Sequence, residues 1–204
     1  MSVIYDRFMQ ASEEACLTEW REELLRDLSG DVLEIGAGTG ANLRHFPAAV
    51  RRLVATEPDT YMIPKLRARA SLDRPSDLEI LEAGSDKLPF PDESFDAVVS
   101  TLVLCSVEDL DRTLAEVKRV LKPGGALVYM EHVAADDRPD RLVWQRRVEP
   151  FWKRVAGNCH LTRRTGAAIV RAGFAIEHET KDSMRKANPL TRATLRGVAR
   201  KPKR

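Results

Sequence analysis

The residues whose types and spacing could do chemistry begin at Val32-Leu33-Glu34-Ile35-Gly36-Ala37-Gly38-Thr39-Gly40. An apolar run delivers the chain into a turn where Gly36 and Gly38 lack Cβ, so a ligand can approach the backbone closely. A short helix through Phe46 is expected to follow, and its first turn would offer free N–H groups. Dinucleotide sites use GxGxxG, which would place its third Gly at Ala41. This chain instead has GxGxG, with an acid, Glu34, two residues before the first Gly. Glu57 closes the next apolar run, 21 residues after Gly36. A carboxylate there can accept hydrogen bonds from a ribose diol, which suits NAD and other adenosyl ligands alike.

Further along are groups that could act on a bound molecule. His132 follows the fifth apolar run, where it could accept a proton or hydrogen-bond a substrate. His160 is the second candidate. An ordinary buried structural histidine is the competing reading of each. Cys105 follows the fourth apolar run and reads as pocket lining, and Cys159 is similar; small buried hydrophobes are the plainer account. The three cysteines, Cys16, Cys105 and Cys159, are odd in number, far apart and in no CxxC pair. That pattern argues against a disulfide framework or a zinc site, so no metal is expected, and a reducing compartment is the default. Residues 138–154 combine Trp144, Phe151 and Trp152 with Arg138, Arg141, Arg146, Arg147, Lys153 and Arg154. The aromatics could roof an apolar pocket, with Trp144 and Trp152 touching substrate, and the arginines could touch lipid headgroups. A helix with an aromatic core face and a charged solvent face fits the same residues.

These groups need a scaffold. The 204 residues match one domain, and 43% apolar with 31% charged residues indicates a globular chain. Strands are expected at 31–36, 51–57, 77–83, 94–104 and 126–134, with helices at 3–28, 60–72 (ended by Pro75) and 107–121. A helix at 163–172, a strand after Gly173 and a strand near 193–200 complete the chain. Strands with continuous apolar runs, alternating with helices, indicate an α/β, Rossmann-like, doubly wound, mostly parallel seven-stranded sheet with helices on both faces. No run approaches the roughly 20 apolar residues of a spanning helix, and no signal peptide is visible, so a cytoplasmic location is expected. The net charge of +2 conceals an asymmetry: residues 138–204 hold 18 of the 33 Lys/Arg and 5 of the 31 Asp/Glu. A solvated Arg-rich surface accounts for this, as would an anionic partner or peripheral membrane contact. The basic tail from Arg196 to Arg204 carries no RNA-binding motif, and no nucleic-acid partner is expected.

Two more segments complete a recognisable set. They are Gly84-Ser85-Asp86-Lys87-Leu88-Pro89-Phe90-Pro91-Asp92 and Leu121-Lys122-Pro123-Gly124-Gly125. With the glycine loop and Glu57, in this order, they resemble the class I S-adenosylmethionine-dependent methyltransferases over about residues 30–134. Thr101-Leu102-Val103-Leu104-Cys105-Ser106, Met130-Glu131-His132-Val133 and Cys159-His160-Leu161-Thr162-Arg163 look like the thiol S-methyltransferases of animal membranes, whose apolar N-terminal anchor is not expected here. Trp144-Gln145 and Pro150-Phe151-Trp152 extend that likeness.

The resemblance implies one domain over 1–204: an N-terminal helical cap at 1–30, a cofactor-binding half at 31–134 and a substrate-side half at 135–204. It implies S-adenosylmethionine as cofactor, S-adenosylhomocysteine as product and a small, apolar acceptor, with a thiol favoured. The alternatives are a small-molecule or lipid O- or N-methyltransferase, or a non-catalytic S-adenosylmethionine-binding protein. Gly36, Ala37, Gly38 and Gly40 would pass under the ribose and methionine part, with Glu34 near the methionine amino group and Glu57 on the ribose. Pro58 and Met62 would flank the adenine, with Ser85, Asp86 and Lys87 on its other face. Many relatives place an adenine-binding acid at the position of Gly84, so that role moves to Asp86 or to backbone groups. Thr101 and Leu102 would lie beside the sulfonium. Tyr5 would fold over the cofactor carboxylate, although ordinary helix packing explains it equally.

Overall fold

The computed structural model describes residues 9–72 and 77–203. Seven strands form one sheet: β1 (Gly30–Ile35), β2 (Val50–Thr56), β3 (Leu78–Leu81), β4 (Phe95–Thr101), β5 (Leu121–His132), β6 (Ala175–Ser183) and β7 (Ala193–Arg200). Their order is β3-β2-β1-β4-β5-β7-β6. The first five strands run parallel, and β7 is antiparallel to both β5 and β6. Among the described residues the α-helices are α1 (Thr18–Leu25), α2 (Ile63–Ala70), α3 (Leu110–Val120), α4 (Pro139–Val155) and α5 (Thr165–Arg171).

The apolar runs of the central strands reflect burial on both faces, because successive side chains point to opposite sides. Val32, Leu53, Val99 and Val128 face Leu17, Trp20, Leu25 and Leu66 of the first cover. Leu33, Val54, Val98 and Leu127 face Leu114, Val117 and Ile169 of the second. On α3, Asp109 caps the N-terminus by accepting from the Arg112 N–H at 2.9 Å, and the buried stripe Thr113, Leu114, Val117, Val120 has helical spacing.

Chain order reverses between β1 and β4, and ligands of open α/β sheets sit at such a switch point, beyond the carboxyl ends of the strands. The glycine loop, Glu57, the Leu102–Cys105 turn and His132 all leave the sheet at that edge.

Four local expectations differ. No α-helix follows the glycine loop; residues 39–45 form turns and one 3-10 turn, Leu43–His45. Positive φ at Gly38 and Gly40, with Pro47 close behind, leaves too few residues for an α-helix. The N-terminal helix is interrupted by a π turn at Glu13–Leu17. The helix expected at 60–72 spans only Ile63–Ala70, and Pro75, expected to end it, lies outside the described residues. Lys122-Pro123-Gly124-Gly125 is not a loop before the strand but a bulged part of β5, opposite Asp96 of β4.

The charge asymmetry is partly internal. Arg185 donates to the Ala15 carbonyl and pairs with Glu19, while Arg196 pairs with Glu23 and Asp182. Arg200 pairs with Glu177. Basic residues of the last third thus meet acids of the N-terminal cover and of β6.

Candidate functional site

Glu57, expected on a ribose diol, is met here by two backbone N–H groups. Its Oε2 accepts from the Gly38 N–H at 2.7 Å and its Oε1 from the Asp59 N–H at 2.8 Å. The carboxylate therefore ties the glycine loop to the turn after β2. Each oxygen keeps a lone pair for a further donor. Burial pushes its pKa up, against the pull of these two hydrogen bonds.

The three loop glycines divide their tasks. A Cβ on Gly36 would lie 2.6 Å from Val103 Cγ2, and one on Gly40 would lie 2.9 Å from Leu43 and Leu66. Those two Cβ spaces are filled by the protein itself, so Gly36 and Gly40 are required by packing. Gly38 meets only Met62 Sδ at 3.8 Å, so it alone leaves its face open. Ala37 is buried behind it.

Beside the loop lies a buried polar network. Glu34 is 2% exposed; its Oε1 accepts from Asn42 Nδ2 at 2.7 Å, and its Oε2 has no partner among the described residues. Burial raises its carboxyl to about 7, opposed by the Asn42 hydrogen bond and the Arg21 charge. Asn42 also donates to Thr101 Oγ1 at 3.0 Å. Arg21, 4% exposed on α1, donates to Asn42 Oδ1 at 2.6 Å and to Thr101 Oγ1 at 3.2 Å, and pairs with Glu13 of the π turn at 2.7 Å. The N-terminal cover is thereby tied to the ends of β1 and β4. Arg21 and Asn42 were not legible as site residues. Tyr5, expected over this region, lies outside the described residues.

The far side of the site is held by α3. Glu116 accepts from the Leu88 N–H, Arg119 donates to the carbonyls of Leu88 and Phe90, and Arg112 donates to that of Asp86. Asp86 and Lys87 have exposed side chains, and Ser85 is half-buried. Pro58 is exposed, and Met62 begins α2 beside Gly38.

On the acceptor side, Leu102 adopts φ +60°, a strained value for a β-branch-free but bulky residue, and its N–H donates to the Met130 carbonyl at 2.8 Å. The fully buried Glu131 shapes the following turn. It accepts from Ser100 Oγ at 2.7 Å and from the Val103 and Cys105 N–H groups at 3.2 Å each. His132 is 3% exposed, with Cys159 Sγ 3.5 Å from its Nε2. The His160 N–H donates to the Cys105 carbonyl, while its ring turns to Glu149 at 3.5 Å. Burial and the Arg163 charge lower the His160 pKa.

The two tryptophans separate. Trp144 is 58% exposed, lies under the Arg147 guanidinium and joins no core cluster, so the structure does not bring it to the site. Trp152 is half-buried, and its indole N–H has no partner among the described residues. Gln145, between them, is fully buried and binds α4 to the Ala135 N–H and to the Val133 and Leu190 carbonyls.

The glycine loop, the Glu34 oxygen without a partner among the described residues, and Glu57 all lie at the carboxyl ends of β1 and β2. A family model described as a methyltransferase domain matches residues 33–129. Human thiol S-methyltransferase TMT1A is 35% identical over 176 residues, covering 85% of this chain and 72% of that protein. This chain belongs to the class I methyltransferase family that includes the thiol S-methyltransferases. The rat thiol S-methyltransferase TMT1B is 39% identical over 158 residues. That match covers 74% of this methyltransferase-family chain and 64% of the rat protein, so the chain spans just under two thirds of that relative's length. Among solved structures, the [4+2]-cyclase SpnF superposes with a TM-score of 0.73 at 20% identity, over 92% of this chain and 80% of SpnF. That likeness concerns the fold. No helix among the described residues is long and apolar enough to cross a membrane.

Proposed function

We propose that this chain transfers a methyl group from S-adenosylmethionine to a small, apolar thiol. The observation that carries the methyl-donor half is Glu34 Oε2, a buried carboxylate oxygen near the end of β1 without a partner among the described residues. A buried polar atom left unmade is costly, and a ligand ammonium would satisfy it. Glu57 has acceptor capacity for the ribose hydroxyls. The names of the curated relatives support the thiol.

S-adenosylmethionine, when bound, supplies a methyl on a good leaving group. The chain's contribution is then mainly alignment, which can be worth up to about 7–11 kcal/mol in ideal cases. Glu34 and Glu57 orient the two ends of the donor. Leu102 to Cys105, pinned by Glu131, line the acceptor side. His132, at the end of β5, is the candidate to receive the acceptor's proton; His160, turned to Glu149, is the weaker one.

The test is calorimetric titration with S-adenosylmethionine and with NADH, followed by a labelled-methyl screen of thiols, phenols, amines and phospholipids. Micromolar donor binding, inert NADH and turnover with thiols are expected. Donor binding without turnover on any acceptor would leave a non-catalytic binding protein. A phospholipid acceptor is the second reading, favoured by Trp144 and by Phe151, 65% exposed, beside arginines on α4. It would show as vesicle binding that weakens with salt.

A further inference from the structure

Cys105, His132 and Cys159 come from three separate elements: the turn after β4, the end of β5 and the loop after α4. Their ligand atoms all lie within 4.8 Å of one another. Cys159 Sγ is 3.5 Å from His132 Nε2 and 3.8 Å from Nδ1. In a tetrahedral zinc site, bond lengths of about 2.3 Å to sulfur and 2.0–2.1 Å to nitrogen give a sulfur-to-nitrogen edge of about 3.5 Å. The Cys159–His132 edge already has that dimension.

The surroundings hold it there. Glu131 accepts from the Cys105 N–H, and the His160 N–H donates to the Cys105 carbonyl, fixing the two cysteine segments against each other. Asn158, at φ +62°, donates to the Ser106 carbonyl, and the Arg163 guanidinium donates to the Leu104 and Val107 carbonyls. Arg163 also places a positive charge near both thiols. Cys105 and His132 are buried, yet among the described residues the His132 ring has no oxygen partner, only the Cys159 sulfur. A buried imidazole usually finds a carbonyl or carboxylate, so this one lacks a customary structural reason for its place.

We propose that Cys105, His132 and Cys159 bind a zinc-class divalent cation, whose fourth position takes the thiol of the acceptor. Three protein ligands with one open position is the arrangement of catalytic zinc, and sulfur is a soft ligand such a cation favours. The open position rests on the thiol reading given above, whereas the metal site itself does not. On metal uptake the Cys105 and Cys159 thiols release their protons to water. On coordination the acceptor's S–H bond breaks and its proton also passes to water, because His132, engaged as a ligand, does not act as the base in this arrangement. The coordinated sulfur then forms the new S–C bond as the sulfonium C–S bond breaks, and that electron pair stays on the departing sulfur. The neutral thioether is a poorer ligand and leaves.

The experiment uses the full chain, reduced, stripped with chelator and checked for three free thiols. Zn(II) is titrated against a chromophoric chelator, and Co(II) is followed by its thiolate charge-transfer and tetrahedral visible bands. One equivalent should bind with sub-micromolar affinity. Cys159→Ser and His132→Ala should each weaken it beyond the roughly 10–100-fold that loss of an outer-shell partner costs. Cys16→Ser should leave it intact, and S-adenosylmethionine affinity should stay unchanged in Cys159→Ser. Adding an apolar alkanethiol to the Co(II) form should add a thiolate band that the matching alcohol does not. Absence of stoichiometric metal with all thiols free, binding retained in Cys159→Ser, or paired loss of Cys105 and Cys159 as a disulfide in place of metal uptake would each overturn the site. Metal uptake without a thiol response would overturn the open position. Failure of S-adenosylmethionine to bind, with metal uptake intact, would instead sink the methyl-transfer reading.

Discussion

Replacing Glu34 by Gln should stabilise the free protein above neutral pH while weakening its ligand. Burial raises the Glu34 carboxyl from 4.5 to about 7. The unfolded chain releases this proton at the lower value, so between the two the folded state holds an extra proton and stability falls as pH rises. At about 1.4 kcal/mol per unit, the ionised side chain costs the fold about 3 kcal/mol above pH 7. The Gln amide inherits the unpartnered place of Oε2, which returns about 1–2 kcal/mol as an unmade hydrogen bond. A net gain of about 1–2 kcal/mol remains, which raises Tm by about 2–8 °C at pH 8 for a chain of this size. At pH 5 the wild-type side chain is protonated and the gain disappears. Ligand binding adds a second signature. An ammonium needs the ionised carboxylate, so wild-type affinity for S-adenosylmethionine should rise about tenfold per pH unit up to about 7 and then level off. The ligand's own amine titrates from about 7.7, so the informative window is below that value. Glu34→Gln should bind weakly and without this slope. Thermal scans at pH 5 and 8 with calorimetry across pH 5.5–7 measure both. A Tm difference independent of pH, or flat wild-type binding, refutes the argument.

Three further outcomes follow from the same geometry. Glu57→Ala frees the Gly38 and Asp59 N–H groups and removes the diol acceptor, so calorimetry should show at least a tenfold loss of S-adenosylmethionine affinity, consistent with about 1.5–3 kcal/mol for a charged hydrogen bond. Gly36→Ala combines a positive φ with a Cβ 2.6 Å from Val103 and should lose about 3 kcal/mol of stability, whereas Gly38→Ala, with positive φ alone, should lose about 1–2 in denaturant unfolding yet impair binding more. Arg21→Met should cost about 2–3 kcal/mol, less than the roughly 3–5 of a fully buried pair because the Glu13 side chain is 25% exposed, with a Tm fall of several degrees as the readout.

Periodicity and punctuation made most of the sheet legible. β1, β2 and β7 fall within a residue or two of the spans their apolar runs suggest, because burial on both faces leaves little ambiguity. Glu34 and Glu57 were legible as candidates because each sits at a fixed offset from the glycine loop. Arg21, Asn42 and Glu131 were not, because their meaning arises from contacts across elements: Arg21 reaches Thr101, and Glu131 reaches Ser100. The same reason hid the grouping of Cys105, His132 and Cys159, since spacing rules see only ligands close in the chain. The segment after the glycine loop is not an α-helix because positive φ at Gly38 and Gly40 breaks it, and the packing of Val103 and Leu43 against Gly36 and Gly40 is a contact that chain spacing does not show.

The seating of β7 between β5 and β6 has a consequence for how the molecule is made. During synthesis the first five strands emerge in an order that lets them pair, but β5 then waits with a bare edge while α4, α5 and β6 are still being added. β6 cannot protect it, since its only sheet neighbour is β7. The nascent chain therefore exposes an apolar, unpaired strand to any similar strand nearby until β7 clears the ribosome. Slowing translation within residues 133–192 would lengthen that interval, and a chaperone that shields strand edges would matter most there.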